Sequence, residues 1–231
     1  MTTPRRLGVL TLLAVTVALA GCSGTSSRTV PPPQGEDKPI ALTFDDGPSA
    51  DYTAPLLAVL TAYHLHCTFF VVGQAVQSHP EVLREEVAAG QEIGIHTWAH
   101  TRLIPLSQAQ VTADSERCLQ LLRAVAGAAL PVAWERPPYG GTDAVVKAGI
   151  AAAGLQQVLW DVQCGDWGAP SASTICQRVL DRVYPGAVVL MHDGGGDRSQ
   201  TVKGVGLLVP KLLALGYQPV TISKLKAAPT P

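Results

Sequence analysis

Four residues combine types and spacings that could bind a divalent metal ion. His96 and His100 are four positions apart, a spacing that would place both imidazoles on one side of a helical turn. Asp45 and Asp46 are adjacent carboxylates that end an apolar run and precede the turn dipeptide Gly47-Pro48. Two histidines and one carboxylate make a facial ligand set that leaves positions open for water, as a catalytic metal requires. Either pair alone could be a solvated turn, so the prediction depends on their combination.

These side chains can act together only if the fold brings them to one place. From Lys38 onward, short apolar runs alternate with longer amphipathic stretches, which predicts repeated strand–helix units and a mainly parallel sheet in an α/β fold. The predicted strands are 40–44, 68–72, 92–96, 157–162, 187–192 and 219–221, and the predicted helices are 54–63, 80–89, 107–126, 143–153, 173–182 and 202–214. Carboxyl ends of parallel strands meet at one face. We therefore expect five residues that end or follow predicted strands to meet there: Asp45, Asp46, His96, Asp166 and His192.

Length and composition predict one globular domain, which we expect to act as a monomer. The chain has 231 residues, of which 47% are hydrophobic and 15% charged. Without residues 1–21 it loses Arg5 and Arg6 but no acid, which leaves 15 basic against 18 acidic residues, a net charge of −3. The sequence contains no basic run of the kind that would indicate a nucleic-acid partner. Apart from Cys22, the chain has four cysteines, which we interpret as structural: Cys67, Cys118, Cys164 and Cys176. The sequence does not decide among the three possible disulfide pairings of these four residues.

The N-terminus has the features of an export signal. Arg5 and Arg6 precede an apolar run over residues 7–20, which is shorter than the ~20 residues that span a bilayer. Leu19-Ala20-Gly21-Cys22 resembles the lipobox of bacterial lipoproteins, which implies that a lipidated Cys22 becomes the new N-terminus. The alternative is an ordinary signal peptide with an incidental cysteine. We expect a signal peptide at 1–21, a tether at 22–37, a domain at 38–226, a tail at 227–231, and anchoring to the outer face of the bacterial cytoplasmic membrane.

Five short motifs follow one another along the chain. They are Thr43-Phe44-Asp45-Asp46-Gly47, His96-Thr97-Trp98-Ala99-His100, Arg136-Pro137-Pro138-Tyr139-Gly140, Asp161-Val162-Gln163-Cys164-Gly165-Asp166-Trp167 and Leu190-Met191-His192. With these motifs the chain resembles the polysaccharide deacetylases of the NodB homology group, carbohydrate esterase family 4, over about residues 38–226. The resemblance implies a distorted (β/α) barrel and a metal-dependent hydrolase. Its expected substrates are N-acetylated glycans, either peptidoglycan or chitin-type N-acetylglucosamine.

The resemblance also implies roles for the residues around the metal. Asp46, His96 and His100 would hold a divalent ion, for which we expect zinc, with Co2+, Ni2+ or Mn2+ as alternatives. Asp45 would be the general base on the metal-bound water, because a Lewis-acid metal lowers the pKa of bound water and polarises the acetyl carbonyl. The backbone N–H of Tyr139 would help to stabilise the oxyanion.

A second set of implied roles concerns proton transfer and the substrate pocket. Arg136 would pair with the base carboxylate and keep it ionised. His192 would be the general acid that protonates the departing amine, since its ordinary pKa near ~6.5 lets it give a proton near neutral pH. Asp166 would orient or tune that acid, and Trp167 and Leu190 would form the walls of the pocket for the acetyl methyl group.

One position departs from the pattern, and two other functions stay open. Many relatives carry an acid three residues before the Asp-Trp pair, where this chain has Gln163; whether Asp161 substitutes for that acid is open.

One alternative function is an O-acetyl esterase of the same fold acting on acetylxylan, and the other is a non-catalytic surface protein that binds glycans. The chain has no Gly-x-Ser-x-Gly motif, so a serine nucleophile is not indicated.

Overall fold

The strand that ends at Asp45 is the most extensively paired strand among the described residues. The computed structural model describes residues 1–2 and 38–227, and its first strand, β1 (Lys38–Asp45), is hydrogen-bonded to three other strands, all parallel to it. Residues 40–45 of β1 are buried. A strand covered on both faces must be a nearly continuous apolar run, which explains why Ile40-Ala41-Leu42 precedes the polar end of the strand.

The other strands build a parallel sheet around β1. They are β2 (Thr68–Val71), β3 (Glu92–Ile95), β4 (Trp134–Glu135), β5 (Gln156–Gln157), β6 (Val162–Gln163), β7 (Val188–His192) and β8 (Tyr217–Pro219). Their order is β5-β4-β3-β2-β1-β7-β6, with β8 paired to β1. Within the described residues β5 and β6 do not pair, so the curled sheet is not fully closed. This architecture confirms the predicted α/β fold of the distorted (β/α) barrel type.

Helices connect the strands and cover the sheet. They are α1 (Thr53–Ala62), α2 (Gly73–Ser78), α3 (Pro80–Ala88), α4 (Gln108–Ala126), α5 (Ala144–Ala152), α6 (Ala172–Leu180), α7 (Ser199–Ala214) and α8 (Ile222–Ala227). The longest, α4, begins at a capping box in which the Ser107 hydroxyl accepts from the Gln110 N–H and the Gln110 side chain accepts from the Ser107 N–H. This cap fixes where the helix after the second histidine begins.

The predicted strand 157–162 is wrong in its centre. Gln156–Gln157 pairs with β4, whereas Val162–Gln163 pairs with β7, at the opposite end of the sheet order. The intervening residues cross between these two ends. Val158 packs there in an apolar cluster with Phe70 and Trp134, which explains why the segment reads as a buried strand in the sequence.

Several sequence predictions concern residues at the termini. The signal peptide beyond Thr2, the lipidated Cys22 and the tether up to residue 37 lie outside the described residues, as do positions 228–231. Within 38–227 no helix is both long and apolar enough to cross a bilayer.

The cysteines at 67, 118, 164 and 176 are all buried, and none of them forms a disulfide bond. Burial raises the pKa of the Cys67 thiol to about 12, as expected for a thiol that packs as a small apolar side chain.

Candidate active site

Asp46, His96 and His100 come together in the fold and form a candidate metal site. Their potential ligand atoms all lie within 4.8 Å of one another. Asp46 Oδ1 is 3.2 Å from His100 Nε2 and 3.5 Å from His96 Nε2. The same Oδ1 atom is buried and has no hydrogen-bond partner. A buried carboxylate oxygen without a partner, facing two imidazole nitrogens, fits a divalent ion, because the ion would supply the missing interaction.

The segment that carries the two histidines is not the helical turn that their spacing predicts. Residues 96–100 are irregular, and Thr97 (φ 64°) and His100 (φ 53°) have left-handed backbone conformations that exclude an α-helix. Two contacts hold the segment, since the Trp98 N–H donates to Asp114 Oδ1 (2.8 Å) and the Thr101 N–H donates to Thr97 Oγ1 (3.0 Å). The imidazole rings still lie together, with centroids 5.0 Å apart.

The ring of His96 is oriented by a second hydrogen bond. Its Nδ1 lies 2.6 Å from the carbonyl oxygen of Arg136, which can only accept, so Nδ1 carries the proton and donates. Burial lowers the pKa of His96 to about 3, which keeps the ring neutral. The Nε2 lone pair therefore faces Asp46, as a metal-ligating imidazole requires.

Asp45 is held by a buried ion pair with Arg136. Arg136 Nη1 donates to Asp45 Oδ1 (2.6 Å) and to Thr43 Oγ1 (2.8 Å), and Nη2 donates to the Leu159 carbonyl (3.2 Å). The guanidinium is fully buried and lies 4.1 Å from the ring centroid of Phe70. Burial raises the pKa of Asp45, and the charge of Arg136 opposes that rise. Asp45 Oδ2 remains directed toward His96 Nε2, at 3.7 Å.

His192, the last residue of the neighbouring strand β7, pairs with the buried Asp166, which lies in the turn after β6. The ring Nδ1 of His192 lies 2.8 Å from Asp166 Oδ1, and Asp166 Oδ2 accepts from the His192 backbone N–H (2.8 Å) and from Thr201 Oγ1 (3.0 Å). Burial alone would raise the pKa of Asp166, but these hydrogen bonds lower it below its ordinary value. Burial alone would lower the pKa of His192, but the hydrogen bond and charge of Asp166 raise it. The acid partner thus stays ionised and stabilises the protonated imidazole.

Aromatic side chains flank the centre on two sides. The Tyr139 ring packs edge-on against His100, with centroids 4.7 Å apart, and the Trp167 ring packs edge-on against His192, at 5.8 Å. Both rings are about half exposed, at 57% and 52%. Leu190 is buried two residues before His192 on β7 and so points to the same side of that strand. The three residues proposed to contact substrate therefore lie next to the histidines of the site.

Some residues of this centre were not anticipated from the sequence. Asp193 is buried, accepts from Thr53 Oγ1 (2.5 Å), and is so close to Gly47 that a Cβ atom there would lie 2.3 Å from Asp193 Oδ2. Burial raises the pKa of Asp193 to about 7. Its position directly after His192 was the available signal. Thr201 and Arg198 bond to Asp166 from the helix α7 region, and no local pattern reveals contacts made across more than 30 positions.

Asp161 does not take the place of the acid that is missing at Gln163. Its Oδ2 accepts from the Val188 N–H (2.9 Å) at the beginning of β7, whereas His192 is the last residue of that strand. Gln163 is exposed and pairs in register with Leu190. Position 163 therefore presents a neutral side chain at the carboxyl end of the sheet.

Comparisons with known proteins agree with this geometry. A family model described as polysaccharide deacetylase matches residues 33–158. The chain is 38% identical over 190 residues to a chitooligosaccharide deacetylase of Bradyrhizobium sp. (strain ANU 289), covering 78% of this chain and 86% of that protein. It is 36% identical over 191 residues to a peptidoglycan-N-acetylglucosamine deacetylase of Bacillus cereus, covering 82% and 88% respectively. Among solved structures, the peptidoglycan deacetylase PdaC of Bacillus subtilis superimposes with a TM-score of 0.75 at 34% identity, covering 83% of this chain and 91% of that one.

Proposed function

The chain belongs to the polysaccharide deacetylase family, and we propose that it hydrolyses the N-acetyl groups of a glycan at the site described above. The observation that carries this proposal is that an aspartate and a histidine, each with a charged partner, lie next to each other beside one cluster of candidate metal ligands. Asp45 and His192 are the last residues of adjacent parallel strands and pair in register. Each is bound to a charged partner of its own, Arg136 for the base and Asp166 for the acid. The cluster of Asp46, His96 and His100 lies beside them.

This arrangement suits amide hydrolysis without a covalent intermediate. A divalent ion held by Asp46, His96 and His100 would polarise the acetyl carbonyl and lower the pKa of an attacking water. Asp45 takes the proton from that water, and its burial favours this role because a base with a raised pKa accepts a proton more readily near neutrality. The backbone N–H of Tyr139 would donate to the developing oxyanion.

His192 completes the reaction by protonating the leaving amine. An amine expelled as an anion is a very poor leaving group, so an amide needs this proton more than an ester does. Because Nδ1 is bound to the Asp166 carboxylate, Nε2 is the atom that faces the site and gives the proton. Trp167 and Leu190 provide apolar surface beside this histidine for the acetyl methyl group.

The finer parts of the proposal concern the metal, the substrate and the location. We propose Zn2+, since two imidazoles and one carboxylate are ligands that zinc favours, with Co2+, Ni2+ and Mn2+ as alternatives. N-acetylglucosamine of peptidoglycan or of chitooligosaccharides is the proposed substrate, as for the two relatives above. We also propose export, lipidation of Cys22 and retention at the outer face of the cytoplasmic membrane, where the enzyme would act on the cell's own wall.

An acetate-release panel tests the function. The purified protein is assayed on chitooligosaccharides, peptidoglycan and acetylxylan, before and after chelation, and after addition of each of the four metals. We expect acetate from the first two substrates, loss of activity on chelation and recovery with metal. Release from acetylxylan alone would favour the esterase, and a metal-loaded protein that releases no acetate would favour a glycan-binding protein.

A further inference from the structure

A pocket of about 290 Å3 lies beside the catalytic centre, on the β6 side. Its lining comes from the carboxyl end of β6, the turn that follows, and helix α6 with the residue after its end: Gln163, Cys164, Gly165, Trp167, Arg178 and Arg182. None of these residues has a role in the proposed hydrolysis except Trp167. We call this space the arginine pocket.

The arginine pocket contains two guanidinium groups without an ion-pair partner in the described part of the chain. Arg178 Nη1 donates to the Cys164 carbonyl (2.9 Å), and Arg182 Nη1 donates to the Arg178 carbonyl (2.9 Å). These contacts position the two guanidinium groups but leave most of their N–H donors free. Among the residues that the structure describes, neither arginine forms an ion pair, and no acidic side chain lines the pocket.

Gln163 is neutral, so it does not offset the positive charge of the two arginines. An acid at position 163 would add a carboxylate to the pocket, opposite the two guanidinium groups. The glutamine leaves their charge available to a ligand and can itself donate or accept a hydrogen bond. The departure of this chain from the family pattern therefore falls in the pocket that contains two unpaired arginines.

The position of the pocket connects it to the substrate. Trp167 lines the pocket and also packs against His192, which is proposed to protonate the leaving amine. One indole ring thus separates the site of acetyl hydrolysis from the arginine pocket. A glycan that is bound at the metal centre and extends past this ring would bring an adjoining sugar to the arginine pocket.

We propose that the arginine pocket binds a carboxylate on the sugar next to the one that is deacetylated. This rests on the proposed function and narrows its substrate class to anionic glycans. Guanidinium groups are well suited to carboxylates because their paired N–H donors match the two oxygens. In peptidoglycan strands every second sugar is a muramic acid, whose lactyl carboxylate is free once the peptide attached to it has been removed, whereas chitin has no such group. The pocket therefore favours a muramic acid neighbour without its peptide over a neutral one.

Matched substrates test this proposal. The first is an alternating oligosaccharide of N-acetylglucosamine and N-acetylmuramic acid without peptides, and the second is the same oligosaccharide with its carboxylates converted to methylamides. We expect wild-type protein to have a higher kcat/KM on the free carboxylate form, mainly through KM. Arg182→Gln and Gln163→Glu should each reduce the ratio of the two kcat/KM values by roughly three- to tenfold. Raising the salt concentration should reduce the ratio in wild-type protein, because the pocket is exposed.

A control variant separates the pocket from overall charge. Arg84→Gln removes the same charge from an exposed position on α3, which contacts β3 rather than β6, and should leave the ratio unchanged. An equal kcat/KM on both oligosaccharides in wild-type protein, or a preference that Arg182→Gln and Arg84→Gln alter equally, would overturn the proposal.

Binding provides a second measurement that does not require turnover. Calorimetric titration of Asp45→Asn protein with both oligosaccharides should show tighter binding of the carboxylate form, and adding Arg182→Gln should remove the difference. If wild-type protein releases acetate from neither oligosaccharide nor from chitooligosaccharides, the proposed hydrolysis fails. The titration then still decides the pocket, and equal affinities would refute it.

Discussion

Asp166 holds His192 at two points, the ring and the backbone. Its Oδ1 accepts from the ring Nδ1 and its Oδ2 from the backbone N–H, each at 2.8 Å. One carboxylate therefore fixes the direction of the imidazole relative to its own main chain, and it also supplies the negative charge that favours the protonated ring. Thr201 holds the same carboxylate from the other side, at 3.0 Å.

Replacing Asp166 should change the pH dependence of the reaction. Asp166 raises the pKa of His192, so the protonated acid persists to higher pH in the wild-type protein. In Asp166→Asn this support is lost, and the falling limb of the kcat/KM profile at alkaline pH should move to lower pH. We also expect kcat to fall by roughly tenfold or more. Thr201→Val, which removes only the hydrogen bond to Oδ2, should produce a smaller change, and an unchanged profile in Asp166→Asn would contradict this role.

Removing the imidazole should separate amides from esters. In His192→Ala the leaving group loses its proton donor, which an amine needs more than an alcohol does. Cleavage of an N-acetylated substrate should fall by ~100-fold or more, whereas cleavage of an activated acetate ester should fall much less. Both rates are measured on the same metal-loaded preparation. Equal losses for the two substrates would show that His192 does not protonate the amine.

The two adjacent aspartates should fail in different ways. Asp46 Oδ1 faces both imidazoles, whereas Asp45 Oδ1 is bound to Arg136. Asp46→Asn should weaken Zn2+ binding by more than roughly tenfold. Asp45→Asn should keep the metal and lose ~100-fold or more in kcat. Metal content and calorimetric affinity are measured for both variants, and an Asp46→Asn protein with wild-type affinity would mean that the roles are reversed.

A buried acid should make stability depend on pH. Burial raises the pKa of Glu135 from its ordinary 4.5 to about 8, so the folded state holds this proton more tightly than the unfolded state. Its contribution to stability is fully present below pH 4.5 and is lost as pH rises through about 8, a loss of about 4 kcal/mol by that pH. Denaturant unfolding of Glu135→Gln should show a shallower fall in the free energy of unfolding over this range.

A second variant controls for the hydrogen bond of Glu135. Ser115 Oγ donates to Glu135 Oε2 (2.6 Å) and opposes the rise in its pKa. Ser115→Ala should therefore extend the loss of stability to higher pH. Some pH dependence should remain in Glu135→Gln, because burial also raises the pKa of Glu86. Identical slopes in wild-type and Glu135→Gln protein would exclude the ionisation of Glu135 as a cause.

Local patterns in the sequence were sufficient for the long elements and for the ends of the main strands. Continuous apolar runs predicted β1, β2, β3 and β7, and Asp45 and His192 are the last residues of two of these strands. The short strand Trp134–Glu135 was not predicted, since two residues carry no periodicity and their pairing depends on a distant neighbour. The segment 157–162 was misjudged because apolar residues that cross between sheet ends look like those within a strand.

In the candidate site too, the sequence predicted some features correctly and others not. The spacing of His96 and His100 predicted the ligand pair but also a helical turn that does not exist. The left-handed φ of Thr97 depends on contacts to Asp114 and within the loop, which spacing cannot reveal. The pairing of Arg136 with Asp45 joins residues 91 positions apart. Only the resemblance to a family indicated that contact, and no local pattern could have done so.

The pairing of β1 on both edges determines which parts of the site can open independently. Amide protons of β1 are hydrogen-bonded within a buried, fully paired strand, so they should be among the last to exchange with deuterium. Tyr139 and Trp167 lie on separate three-residue 3-10 turns, with exposed rings, and should exchange early. The two aromatic side chains can therefore move while Asp45, the proposed base at the end of β1, keeps its position.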